Sequence, residues 1–325
     1  MATWNDPKNC IISSGMQQLA KYLGNYSQRL EAYLDDYFVK KLNEASKIDP
    51  KLPNLYNYLH KYILGGKKIR GALVEIGFEM YSSKENPAIT PVSAAIEIIH
   101  SGLLILDDWI DRDASRRNLK SAHLTFNPEI AMVLGDLTYF DAYQIISESK
   151  FESPKILSAL SLLNKYLSNT GLGEILEIMG GNPDIIHIYK TAHYSFVMPL
   201  SVGATLAGTN SKNLDTLKQY GENVGLAFQI RDDILNIVGD PAVTGKSILS
   251  DITSQKKTFI WNFATSKKAF DPDHDTPEQI KQKFIACGAI VYAQDKAEEY
   301  AKLAKKFVTN PLLLELADFV VTRNK

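Results

Sequence analysis

Two features of the chain predict an all-α fold. Between residues 213 and 238 the apolar residues Leu214, Leu217, Val224, Ala227, Phe228, Ile234, Leu235 and Val238 recur mostly at three- and four-residue steps, the spacing of one buried helix face. Apolar–polar alternation, which a half-buried strand needs, is scarce throughout. With no long linker, no repeat at a solenoid period and no low-complexity segment, residues 1–325 read as a single domain.

The same periodicity predicts helices over residues 12–39, 54–64 and 69–81. The next begins with Thr90 as N-cap and Pro91 in the first turn and runs through VSAAIEIIHSGLLILDDWI, apolar enough to lie inside the protein. Further helices are expected at 129–147, 155–168, 196–207, 213–238, 256–267, 277–287 and 289–308. Loops are expected where Gly, Pro, Asn and Ser gather: at Gly65-Gly66 and over 82–87, 118–128, 180–183, 239–245 and 270–277.

Lys and Arg number 36 against 37 Asp and Glu, a formal charge of −1, and 45% of residues are hydrophobic. That balance excludes a disordered tail-like protein and argues against bulk nucleic-acid or membrane binding. Cys10 and Cys287 lie far apart with no CxxC or Cys/His spacing, so neither a disulfide scaffold nor a zinc site is expected. Long apolar stretches are interrupted before the roughly 18 residues a membrane span needs, and the N-terminus lacks a basic region followed by an apolar run. A cytoplasmic protein with no membrane anchor is expected.

The densest carboxylate cluster, Asp107-Asp108-Trp109-Ile110-Asp111 with Asp113 beyond, closes the most apolar helix. Asp107 and Asp111 share a helix face, where like charges repel unless cations lie between them. Oxygen-only ligands suit a hard ion that leaves coordination positions for phosphate oxygens, the magnesium pattern. Alone, the motif reads equally well as a solvated acidic face. A second cluster is Asp232-Asp233-Ile234-Leu235-Asn236, where Gln229, Asp232 or Asp233, and Asn236 form the polar stripe of the helix, and Glu97, His100, Leu104, Asp107 and Asp111 form a similar stripe on the first. Two helices each with one acidic stripe can hold metal ions between them, as helical bundles do. Basic residues accompany both: Gly65-Gly66-Lys67-Lys68-Ile69-Arg70, Arg116-Arg117, and Lys246 through Lys256-Lys257. Arg binds phosphate as a bidentate fork and Lys as a point charge, although each cluster alone is most often solvated surface.

In sequence order, GGKKIR, EIIHSGLLILDDWIDRDASRR, Gly135-Asp136, Lys190-Thr191, FQIRDD and GKSILSDITSQKKT resemble the trans-isoprenyl diphosphate synthases, or polyprenyl synthetases, of the short-DDxxD type. The resemblance implies a single all-α bundle around a deep central cavity, in which isopentenyl diphosphate is joined to an allylic diphosphate with release of pyrophosphate. It implies that Asp107, Asp111 and Asp232 hold magnesium, three ions in all, with Asp108, Asp233 and Asn236 in support. Arg116, Lys190 and Lys246, with Lys256 among the distal lysines, would then bind the allylic diphosphate, and Lys67, Arg70, His100 and Arg117 the isopentenyl diphosphate. Gln229 and Thr191 would turn oxygen dipoles toward the allylic cation, and the chain would form a homodimer.

Several positions depart from the family pattern: Asn236 for the third aspartate of the second motif, Leu106 for a common His, Asn118 for the Gly after the arginines, Leu249 for a Gly before Asp251, and Glu174 and Glu177 for Gln and Asp. Leu103 and Gly102, the fourth and fifth residues before the first aspartate, stand where members of the family floor the product cavity. Gly102 offers no side chain to block a growing tail, with Ile99 the next floor and Phe140 or Tyr143 on a neighbouring helix as alternatives, so a product of twenty carbons or more is expected, shortened in Gly102→Phe. A class I terpene cyclase would not need Lys67, Arg70 and Arg117, and a non-catalytic subunit of a heteromeric synthase would be expected to have lost one metal motif. A helical metal-dependent phosphohydrolase would need a His-Asp pairing that is not seen.

Overall fold

The structure, a computed structural model, describes residues 16–239 and 249–324. Helices α1 (Gln17–Ile48), α2 (Pro53–Leu64), α3 (Ile69–Glu79) and α4 (Ile89–Ile110) come first. A two-stranded antiparallel hairpin, Ser115–Arg116 with Leu119–Lys120, is the only β-structure among the described residues. Then follow α5 (Ala122–Thr125), α6 (Pro128–Ser147), α7 (Ser153–Ile178), α8 (Pro183–Ile186), a π-helix (His187–Val197), α9 (Met198–Ala207) and α10 (Ser211–Val238). Last come α11 (Ser250–Thr253), α12 (Phe259–Ser266), α13 (Pro277–Ala286), α14 (Ala289–Ala304), a 3-10 turn and α15 (Pro311–Thr322). The all-α class is as expected.

The chain forms two compact units, Met1–Ser161 with Pro199–Asn210, and Leu162–Met198 with Ser211–Lys325. In the first, α1 buries Leu19, Leu23, Tyr26, Leu30, Leu34 and Phe38, a stripe at three- and four-residue steps. Helix α4 is buried almost all round from Val92 to Gly102 and packs on α3 and α6. In the second, α14 turns Ala289, Ala293, Ala297, Ala301 and Ala304 inward, and this stripe of small side chains lets it lie close to α10.

Several boundaries differ from the sequence reading for physical reasons. Thr90 does not cap α4: the helix starts at Ile89, and the Thr90 hydroxyl donates to Glu75 Oε1 at 3.0 Å. Helix α7 continues ten residues past Ser168, through two glycines, because Tyr166, Thr170 and Gly173 are buried against the rest of their unit. Helix α15 was not anticipated, although Asn310, which accepts from Leu312 N–H, and Pro311 mark its start in the usual way. By length and composition α4 is apolar enough to cross a membrane, against expectation, but 72% of that window is buried inside the protein.

Candidate active site

In the first unit the acidic motif closes α4. Asp108 continues the stripe of Ser101 and Ile105 and is completely buried, whereas Asp107 is half-buried and Asp111, the C-cap, is exposed. One Asp108 oxygen accepts the Tyr62 hydroxyl at 2.8 Å and the other accepts Arg116 Nε–H. The same guanidinium donates to Asp107 at 3.0 Å and Asp113 at 3.2 Å. Burial raises the pKa of Asp108, opposed first by Arg116 and then by the Tyr62 hydrogen bond. Burial also works against the Arg116 charge, but Asp108 and Asp107 outweigh it and hold the guanidinium above its ordinary pKa. Arg116, expected on the allylic diphosphate, is thus the shared counter-ion of three carboxylates, because the hairpin returns its first strand beside the end of α4.

The hairpin turn holds Arg117 and Asn118 at φ 55° and 61°. Asn is among the few non-glycine residues at ease in that left-handed region, which accounts for Asn118 standing where a Gly is commoner. The Arg117 side chain crosses the Gly65-Gly66 loop so closely that a Cβ on Gly66 would lie 2.5 Å from its Nη2. Its Nη1 donates to the Tyr62 carbonyl at 2.8 Å. Three predicted residues meet here: Arg117 Nη2 lies 3.4 Å and Arg70 Nη1 3.1 Å from His100 Nε2. Guanidinium groups only donate, so His100 Nε2 accepts and the ring is neutral with its proton on Nδ1. Burial first, and then Arg70 and Arg117, push the His100 pKa well down. His100 therefore holds two guanidinium forks and is not itself cationic. Lys67 is partly exposed, whereas Lys68 is buried and pairs with Glu31 and Ser27 on α1.

The room expected at Gly102 is filled. A Cβ there would lie 1.9 Å from Thr138 Oγ1 and 2.9 Å from the Gly135 carbonyl of α6, so this glycine permits close helix packing and does not open a cavity. Ile99 is buried and Leu103 half-buried on the same helix; Asp136 is exposed.

In the second unit, Asp232 on α10 is partly exposed and receives the Arg323 guanidinium, which also donates to the Phe228 carbonyl at 3.1 Å and stacks 3.9 Å over its ring. Asp233 is buried. Gln229 Nε2 donates to its Oδ1 at 2.9 Å, and Thr191 Oγ1 donates to Gln229 Oε1 at 2.8 Å, joining two predicted residues in one chain of hydrogen bonds. Burial, and next the charge of Asp251, drive the Asp233 pKa well up. Its Oδ2 is buried without a partner, 3.9 Å from Nε2 of His187, whose pKa burial lowers to about 4. Asn236 carries no charge, and its Oδ1 accepts the backbone N–H of Asp251 at 3.3 Å. Leu249, replacing a Gly, takes a left-handed φ of 71° and offsets that strain by burying its side chain.

Lys190, expected on the allylic diphosphate, lies between Glu174 at 2.8 Å and Glu177, and Lys256 reaches Glu177 at 3.0 Å. Burial opposes the charge of Glu177, but Lys256 and Lys190 prevail and lower its pKa. Glu174, where a Gln is commoner, adds a second carboxylate beside Lys190, whereas Glu177 keeps the charge of the commoner Asp and serves both lysines. Lys246 lies outside the described residues.

Among the described residues no three His, Cys, Asp or Glu side chains form a closed metal cage. Asp107 and Asp111, one turn apart with oxygen donors only, fit a hard ion that completes its shell with phosphate oxygens and water. Tyr62, His187 and Arg323 escaped sequence reasoning. Tyr62 was hinted at only by its place three residues before Gly65, and Arg323 lies beyond every motif.

A family model described as polyprenyl synthetase matches residues 52–295. A geranylgeranyl diphosphate synthase of Sulfolobus acidocaldarius is 27% identical, over 90% of this chain and 100% of that protein. A short chain isoprenyl diphosphate synthase of Methanocaldococcus jannaschii is 31% identical over 70% of this chain and 71% of that one. Among solved structures, a polyprenyl synthase of Caulobacter crescentus complexed with calcium and isoprenyl diphosphate superimposes with a TM-score of 0.74 at 26% identity, covering 92% of this chain and 98% of that one.

Proposed function

The chain belongs to the polyprenyl synthetase family, and from that premise we propose that it joins isopentenyl diphosphate to an allylic diphosphate, releasing pyrophosphate and an all-trans prenyl diphosphate. The observation that carries this reading is the Arg70–His100–Arg117 cluster beside the first acidic motif. A reaction on one diphosphate needs a single anion site, whereas a condensation needs a second, and two forks held by a neutral imidazole supply it.

Asp107, Asp111 and Asp232 are the proposed ligands of magnesium, three ions in all. When bound there, magnesium would supply positive charge to a departing diphosphate. Asp108 and Asp233, fixed inside their helices, orient the carboxylates next to them. Lys67, Arg70 and Arg117 hold the isopentenyl diphosphate so that its double bond meets the carbocation before water does. Lys190 and Lys256, with their charge shared by Glu174 and Glu177, and Lys246 attend the allylic diphosphate. The Thr191 hydroxyl oxygen and the Gln229 carbonyl stabilise the cation.

A product of twenty carbons or more is supported by the geranylgeranyl diphosphate synthase among the relatives and no longer by Gly102. A homodimer is supported by the exposed apolar stripe of Ile130, Val133 and Phe140 along α6, and cytoplasmic location remains part of the proposal. The test is a product-length assay by mass spectrometry with isopentenyl diphosphate, magnesium and primers of increasing length, run on enzyme sized by light scattering. Chelator-sensitive elongation by a dimer is the expected result. Pyrophosphate release from an allylic substrate alone would replace the reading with a cyclase, silence with every primer with a non-catalytic subunit, and a monomeric mass would remove the dimer.

A further inference from the structure

Tyr62 lies in the last turn of α2 with no exposed surface, its ring stacked on Tyr58 at 5.7 Å. Its two polar groups face different parts of the first unit's site. The hydroxyl donates to Asp108 Oδ2 at 2.8 Å, and the carbonyl accepts from Arg117 Nη1 at 2.8 Å, with the Arg117 guanidinium 5.4 Å over the ring. Asp108 in turn binds Arg116, which binds Asp107, while Arg117 neighbours His100. One residue therefore bonds both the acidic motif, through its side chain, and the basic cluster, through its backbone.

We propose that Tyr62 is a positioning residue that sets the first acidic motif for divalent-ion binding and ties it to the guanidinium cluster; this rests on the function proposed above. With one oxygen of Asp108 held by the phenol and the other by Arg116, the carboxylate has a single rotamer, and Arg116 is fixed where it shares Asp107. Without the phenol, Asp108 can turn, Arg116 follows, and Asp107 no longer has a fixed direction toward an ion. The Tyr62 carbonyl keeps Arg117 in place whatever the side chain, so the two functions of the residue separate cleanly.

Tyr62→Phe removes only the hydroxyl, retaining the ring and the carbonyl. Tyr58→Phe is the matched control: it removes a hydroxyl from the same helix face, one that feels the charge of Asp108 but donates its hydrogen bond to the Lys120 carbonyl at 3.0 Å. The measurement is calorimetric titration of the full chain with magnesium in the presence of inorganic pyrophosphate, which needs no turnover. In Tyr62→Phe the half-saturating magnesium concentration should rise about fivefold, part of the roughly tenfold or more that a hydrogen bond to a charged group is worth, because the phenol acts on the ion only through Asp108. In parallel assays kcat should fall about tenfold while KM for isopentenyl diphosphate stays within about twofold, because Arg117 is undisturbed. Tyr58→Phe should titrate like the unaltered protein. A Tyr62→Phe titration that matches the unaltered protein, an equal shift in both variants, or absence of magnesium uptake by the unaltered protein would each overturn the proposal. Magnesium uptake without elongation would instead refute the proposed function alone.

Discussion

The two acidic motifs begin with the same Asp-Asp pair at the same helical register, yet they are electrostatically different places. In each, the second aspartate is buried and the first reaches solvent. Asp108 meets a guanidinium and a phenol. Asp233 meets one amide, keeps an oxygen without a partner and lies near a histidine that burial holds neutral. Equal burial therefore does not mean equal surroundings. Burial raises both pKa values, but Arg116 within bonding distance opposes the rise at Asp108, whereas the nearby Asp251 carboxylate adds to it at Asp233.

The sharpest way to break this comparison is to neutralise both buried aspartates. Asp108→Asn should lower stability in urea by about 3 kcal/mol, since it strips a buried guanidinium of its closest partner. Asp233→Asn should cost under about 1 kcal/mol, because the Gln229 amide that donates to Asp233 is neutral and can donate equally to an Asn oxygen. Equal losses would mean that the two surroundings are equivalent.

Acid titration sharpens the contrast further. His187 falls from its ordinary 6.5 to about 4 in the folded protein. Between those values the unfolded chain binds the proton and the folded one does not, so stability is complete above about pH 6.5 and is lost as the pH falls toward 4, by about 3 kcal/mol for this group. His100 in the first unit adds a loss of the same sign. His187→Asn should therefore flatten the curve of Tm against pH in this window without abolishing its slope, and an unchanged slope would show that His187 is already protonated.

The smallest expected effect concerns Asp232. Arg323→Gln removes the guanidinium that an ion would have to displace there, and should lower the half-saturating magnesium concentration about threefold in calorimetry with pyrophosphate. A rise would mean that Arg323 holds the carboxylate in place for the ion.

Helix periodicity and residue order made much of this legible in the sequence. Which aspartate of each pair is buried was not singled out from the sequence, although Asp108 and Asp233 each lie three residues after a core isoleucine, Ile105 and Ile230. The partner of Asp108 was not legible, because Arg116 arrives through a hairpin turn, whereas Gln229 lies one helical turn before Asp233 on the same stripe. Gly102 misled for a similar reason: a missing side chain reads as open space until the neighbouring helix is seen to occupy it. Arg323 reaches Asp232 across more than ninety residues of chain, a distance at which no local pattern operates.

The π-helix bears on how this chain should be aligned with its relatives. Over His187–Val197 the backbone is wound so that Met198 N–H bonds to the His193 carbonyl, five residues back. Such winding takes up more residues per turn than an α-helix, and each α-helical residue advances the face by about 100°. Deleting one residue here could restore α-winding and leave the flanking helices in phase, whereas the same deletion inside α10 would rotate everything beyond it out of register. A one-residue gap opposite Lys190-Thr191 is then best scored as a change of pitch, and the residues on either side of it should still be matched as equivalents.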